Sequence, residues 1–176
     1  WLPAGVPFPA PPTLTYRVRQ LPDSRWESNG VAYGTLVSRM KQFGPRGFRA
    51  VLWHQGESDA NQKDPTRTLP GSLYQEHLGR IIGDSRQAAG WDAPWFVAQV
   101  SYHVPGDEAS ADIREAQAAL WKTGLTLQGP DSDALKGDLR ERGGKGVHFS
   151  GNGLRIHAAS WAEKITPWLE RELGQK

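Results

Sequence analysis

The feature that most limits how this chain can fold is a short apolar run, Phe48-Arg49-Ala50-Val51-Leu52-Trp53. It is followed without a break by His54-Gln55-Gly56-Glu57-Ser58-Asp59. A run of this length suits a strand, and its lack of polar alternation marks a strand buried on both faces. A second run, Trp95-Phe96-Val97-Ala98-Gln99-Val100, lies further on, and a weaker third occupies 125–127. Helical periodicity fills the spaces around them. Val31, Leu36, Val37 and Met40 form one stripe ending at Gly44,. Leu73, Leu78, Ile81 and Ile82 form another, from a Ser72/Gln75 capping box to Gly90,. Ile113, Ala116, Leu120 and Trp121 follow a Ser110 cap and close near Gly124,. A last helix starts near Gly153, with Leu154, Ala158, Trp161 and Ile165 expected inward and a kink at Pro167,. Alternating buried strands and amphipathic helices predict an α/β fold, a parallel sheet with helices on its faces.

The 176 residues suffice for one domain with its own core,. No repeat, low-complexity tract or linker divides 1–176. Residues 1–30 hold Pro3, Pro7, Pro9, Pro11, Pro12 and Pro22 and are expected to be extended against a surface, with 31–176 as the βα core,. The formal charge is only +2 and basic residues are interspersed with acidic ones, which leaves no footprint for nucleic acid,. No apolar run nears the ~20 residues that span a bilayer, so no membrane partner is expected. With no cysteine, disulfides, thiolate metal sites and a cysteine nucleophile are excluded,. Trp53, Trp95, Trp121 and Trp161 fall on buried stripes, while Trp1, Trp26 and Trp91 are left open.

In open parallel sheets ligands bind beyond the carboxyl ends of the strands. The 54–59 segment occupies that place, which favours a site over an ordinary polar loop. A second polar cluster, Gly146-Val147-His148-Phe149-Ser150-Gly151-Asn152-Gly153, precedes the last helix. It mounts His148 rigidly enough to act as a general base. Tyr102 and His103 follow the second strand and should rim the same cleft. His77 and His157 read as surface groups, and Asp131 and Asp133 as turn formers. The five histidines show no compact metal-ligand spacing,.

Val51-Leu52-Trp53-His54-Gln55-Gly56-Glu57-Ser58-Asp59 resembles the third block of the sialate O-acetylesterase and carbohydrate esterase family 6 branch of the SGNH hydrolases. Gly146-Val147-His148-Phe149-Ser150 resembles that branch's final block, and Trp1-Leu2-Pro3 the segment after its second block. The resemblance implies a three-layer α/β/α, flavodoxin-like fold. It implies removal of O-acetyl groups from sialic acid, xylan or a related glycan, with no cofactor and no metal. It assigns His148 as the base for a serine nucleophile, Gln55 as an oxyanion donor, and Glu57 as a brace for the loop or the histidine. His54, Ser58 and Asp59 within the matching motif, with Tyr102 and His103 by their place after the second strand, are the expected substrate-binding residues. The family's polymer substrates imply a secreted or periplasmic enzyme.

Two departures qualify the resemblance. The family's nucleophile block, Gly-Asp-Ser-like or Gly-Gln-Ser-Asn-like, is not found here, and none of the eleven serines sits in a Gly-x-Ser-x-Gly elbow,. The chain therefore reads as the C-terminal portion of a single esterase domain, with an incomplete sheet. It is expected to be inactive alone and to need an N-terminal segment or partner fragment. Second, Lys145 stands three residues before His148, where many SGNH members place an aspartate. Either a Ser–His dyad operates, which this reading favours, or Glu57, Glu141 or Asp138 supplies the acid. The competing readings are a non-catalytic carbohydrate-binding module on the same scaffold and an SGNH lipid or aryl esterase. The mechanism requires Gln55 and His148 to face a shared cavity.

Overall fold

The computed structural model describes residues 1–8, 17–61 and 68–174. Of the proline-rich segment, Pro9, Pro11, Pro12, Leu14 and Tyr16 lie outside the described residues. What is described there is a stretch that turns at Ala4–Gly5 and buries Leu2 and Val6, and a hairpin of β1 (Val18–Gln20) and β2 (Trp26–Ser28). Helix α1 (Val31–Gln42) follows, ending with Gly44 at φ 73°.

The central sheet is parallel, in the order β3-β4-β5: β3 (Val51–Trp53), β4 (Trp95–Gln99) and β5 (Leu127–Asp131). Helices α2 (Gly71–Ala89) and α3 (Ala111–Lys122) cross over between these strands. This is the α/β architecture expected from the alternation of runs. One sheet face buries Trp53, Trp95 and Val97 against Leu78, Ile81, Ile82, Ile113 and Leu120. The other buries Phe96, Ala98 and Val100 against Trp161 of the long helix α5 (Gly151–Gly174), which contains Pro167.

Several local expectations are corrected. The first strand is only Val51–Trp53, because residues 48–50 bend before pairing begins. The Ser72/Gln75 box does not form: α2 starts at Gly71 with Pro70 as its cap. A Cβ on Gly71 would lie 2.5 Å from the Asp112 carbonyl, so close approach to α3 sets that start,. Ser110 does cap α3, accepting from the Ile113 N–H. The third strand lies further along than expected and takes in Gly129 and Pro130. The register shifts there, and Gly129 passes so near β4 that a Cβ would meet the Ala98 nitrogen at 2.7 Å,. On α5, Trp161 is buried but Leu154 and Ala158 face solvent, with Leu154 56% exposed. Among the described residues β3 pairs only with β4, and Leu52 on that edge is 47% exposed.

Candidate active site

The turn after β3 is shaped by close packing. It is closed by the Asp59 N–H on the Gly56 carbonyl at 3.0 Å. Gly56 serves by having no side chain, not by an unusual φ: a Cβ there would lie 2.1 Å from the Val100 carbonyl,. Gln117, fully buried on α3, staples this turn to the end of β4. It accepts from the Val100 N–H and donates to the Val100 carbonyl, both at 2.9 Å. The Gln55 carbonyl accepts from the Tyr74 hydroxyl at 2.6 Å. The Gln55 amide donates to Asp59 at 2.6 Å, leaving its second N–H available,. Gln55, Ser58 and Asp59 line a cavity of about 300 Å³ whose other walls include Trp1, Trp53, Tyr74 and His77.

Burial pushes the Glu57 and Asp59 carboxyls up, and for Asp59 the Gln55 hydrogen bond opposes it,. Glu57 accepts from the Gly56 N–H at 3.0 Å and lies 3.6 Å from His54 Nδ1, so it braces its own loop and His54 rather than His148. Burial and then the Arg140 charge hold His54 down to about 4.

The second block is a tight excursion. Arg140 and Phe149 form an antiparallel bridge, and the Glu141 N–H donates to the His148 carbonyl at 2.9 Å. Between them lies a one-turn element, α4 (Glu141–Gly144), in which Arg142 and Gly143 take left-handed φ of 53° and 62°. His148 projects into solvent with Nδ1 3.0 Å from Glu141 Oε1. Ser150 caps α5 through the Gly153 N–H at 3.2 Å and donates to the Asp138 carbonyl.

The two blocks meet through aromatic packing. His54 lies 5.9 Å from the Phe149 ring and 4.7 Å from His157, and Phe149 lies 4.6 Å from His157. They do not meet through one cavity: Gln55 lines the pocket above, but His148 is not in its lining. His157 is not the surface group expected. Its Nε2 accepts from the Trp161 indole N–H at 3.1 Å, which places any neutral-state proton on Nδ1,. Burial, then His54 and Arg140, hold it down to about 4. His77, also read as a surface group, is buried in the cavity wall.

Tyr102 does not rim a cleft. It is 1% exposed because the Arg140 guanidinium lies on its ring at 4.0 Å and on Phe149 at 4.3 Å,. His103 is half-buried, with its backbone N–H on the Asp107 carbonyl. Arg140 is itself fully buried. It donates to the Leu135, Val147 and Ser132 carbonyls and ties the His148 loop to the turn after β5. Asp133 is no simple turn former: it accepts from the Ser101 N–H and hydroxyl, the Tyr102 N–H and Arg114. Its place just beyond a strand's carboxyl end was a readable signal for this; Arg140 had none. Among the described residues no group of three or more His, Cys, Asp and Glu is placed to hold a metal ion.

A strand-end His-Gln-Gly-Glu turn packed against a histidine loop is thus the chemical focus of the molecule. A family model described as carbohydrate esterase, sialic acid-specific acetylesterase matches residues 20–165. The chain belongs to this carbohydrate esterase family. The match spans the sheet, the turn and the histidine loop alike. No curated protein and no solved structure matches the chain.

Proposed function

We propose that the protein is a serine esterase that removes O-acetyl groups from carbohydrate, sialic acid, xylan or a related glycan. His148 is its general base. The observation that carries this reading is the exposed imidazole of His148, whose Nδ1 is engaged at 3.0 Å so that Nε2 is left for a hydroxyl, on a loop whose Phe149 packs against His54 of the esterase family's turn. A serine hydroxyl attacks the acetyl carbonyl while Nε2 takes its proton. The second N–H of Gln55 receives the developing oxyanion, which requires Gln55 and His148, not lining one cavity in this structure, to be brought to a common site when the serine-bearing segment is in place,. The sugar hydroxyl leaves with the proton from His148, and water clears the acetyl-enzyme by the same route. Ser58, Asp59 and His54 border the acetylated sugar, with His103 at the rim.

The serine comes from a segment outside the 176 residues that adds to β3. Two observations support this. The β3 edge has no pairing partner among the described residues, and Leu52 is bare beside it. Three serines near the two blocks are held by other groups, Ser101 by Asp133, Ser132 by His157, and Ser150 by Asp138 and Gly153, while Ser58 lies in the turn on the cavity that His148 does not line.

The test is hydrolysis of p-nitrophenyl acetate and of O-acetylated sugars by the chain joined to the sequence upstream of Trp1 in its gene. His148→Ala should lower kcat by at least about 10³-fold and Gln55→Ala by about 10²–10³-fold. Unchanged turnover in His148→Ala refutes the mechanism. Binding of glycan without turnover would make the chain a carbohydrate-binding module.

A further inference from the structure

We infer that Glu141 is the carboxylate that orients His148, and that the loop between them is built to hold this pair. The catalytic consequence rests on the esterase reading; the pairing itself does not. Lys145, three residues ahead of His148, is exposed and cationic, so it offers no acceptor to the imidazole. Glu141 reaches it by a different path. The Arg140–Phe149 bridge and the Glu141 N–H on the His148 carbonyl set residues 141 and 148 side by side across a two-residue ladder. Neighbouring side chains on such a ladder come within contact distance. The Glu141 Oε1 to His148 Nδ1 distance of 3.0 Å is a hydrogen bond,.

Three details of the loop serve that contact. Gly146 leaves room for the carboxylate: a Cβ there would lie 2.2 Å from Glu141 Cγ and 2.8 Å from Oε1. Left-handed Arg142, Gly143 and Gly144 bring the chain back in so few residues,. The buried Arg140 holds the Val147 carbonyl at 2.7 Å, which fixes the backbone next to the imidazole. The pair is solvent-exposed, so its contribution to stability is small. Its effect is on geometry and tautomer. With Oε1 accepting from Nδ1–H, the Nε2 lone pair points outward, where a hydroxyl proton is to be taken, and the carboxylate stabilises the imidazolium that follows. Glu141 is a positioning residue, because it touches His148 and not the substrate.

Imidazole ¹⁵N chemical shifts of the histidine-labelled 176-residue chain, above neutral pH, test the pairing without any turnover. His148 should carry its proton on Nδ1. Glu141→Ala should move it to Nε2, and Gly146→Ala should do the same although no functional group is removed. Glu141→Gln, which keeps an acceptor but no charge, should retain the Nδ1–H tautomer. In the active enzyme both Glu141 variants should lower kcat by about 10²–10⁴-fold at unchanged KM, with Glu141→Asp recovering part of the loss. Identical His148 tautomers in wild type and Glu141→Ala overturn the inference, as does full kcat in Glu141→Gln. If His148→Ala alone leaves turnover intact, the esterase reading falls while the tautomer result still judges the pair.

Discussion

Replacing Arg140 by methionine should destabilise the fold by about 2–4 kcal/mol. The side chain is 1% exposed and ends on three carbonyls. Ser132 keeps a second donor, the Leu135 N–H at 3.3 Å, whereas the Leu135 and Val147 carbonyls lose the donor that the guanidinium supplies. A buried acceptor left unpaired costs about 1–3 kcal/mol, less for Val147, which is partly solvated,. Two stacked rings add about 0.5–2 kcal/mol each,. Release of a buried cation, with no carboxylate in direct hydrogen-bond contact, offsets part of this total. Urea unfolding followed by tryptophan fluorescence measures the change, with the m-value expected to stay constant. Arg140→Lys should recover less than half, because an ammonium cannot reach three carbonyls and stack on two rings at once. A loss below about 1 kcal/mol in Arg140→Met, or full recovery in Arg140→Lys, would refute the account of this residue as a clamp.

Two further predictions concern the buried machinery. His54 and His157 are each held down to about 4, from an ordinary value of 6.5, so the unfolded chain binds their protons first. Stability should therefore fall as pH drops from about 6.5 towards 4, by up to about 3 kcal/mol for the more buried His54. Glu57 and Asp59, both pushed up by burial, act in the opposite sense. The check is thus the difference between wild type and His54→Gln in urea unfolding across that range; parallel curves would be wrong for this reading. Gly56→Ala should cost several kcal/mol, since the new methyl meets the Val100 backbone oxygen at 2.1 Å and neither strand end can yield,. A thermal shift of less than a few degrees would contradict it.

The strands and helices were legible because burial on both faces leaves uninterrupted apolar runs and burial on one face leaves stripes. Phe96 and Trp95 alternate between two cores, and the sequence shows both as apolar. Boundaries were less legible where contacts between distant residues decide them. Gly71 begins α2 because of Asp112, forty-one positions away, and no capping rule carries that information. The candidate site divided in the same way. His54, Gln55 and His148 announce themselves by position, at a strand's end or before a helix. Tyr102 held a similar position yet turned inward, because the partner that claims its ring, Arg140, lies in an irregular loop with no periodicity to read. The sequence favoured a Ser–His dyad and left Glu141 as one of three other candidate carboxylates, because only backbone pairing at Arg140 and Phe149 sets it beside His148.

Pro130 gives the sheet a direction. On β5, an outer strand of the sheet, it has no amide hydrogen for a ladder bond and lies fully buried where the strand slips register,. Among the described residues no proline interrupts Val51–Trp53, and Leu52 stands exposed there. The two outer strands of the sheet are therefore unlike, and the barer one runs straight into the turn that bears Gln55.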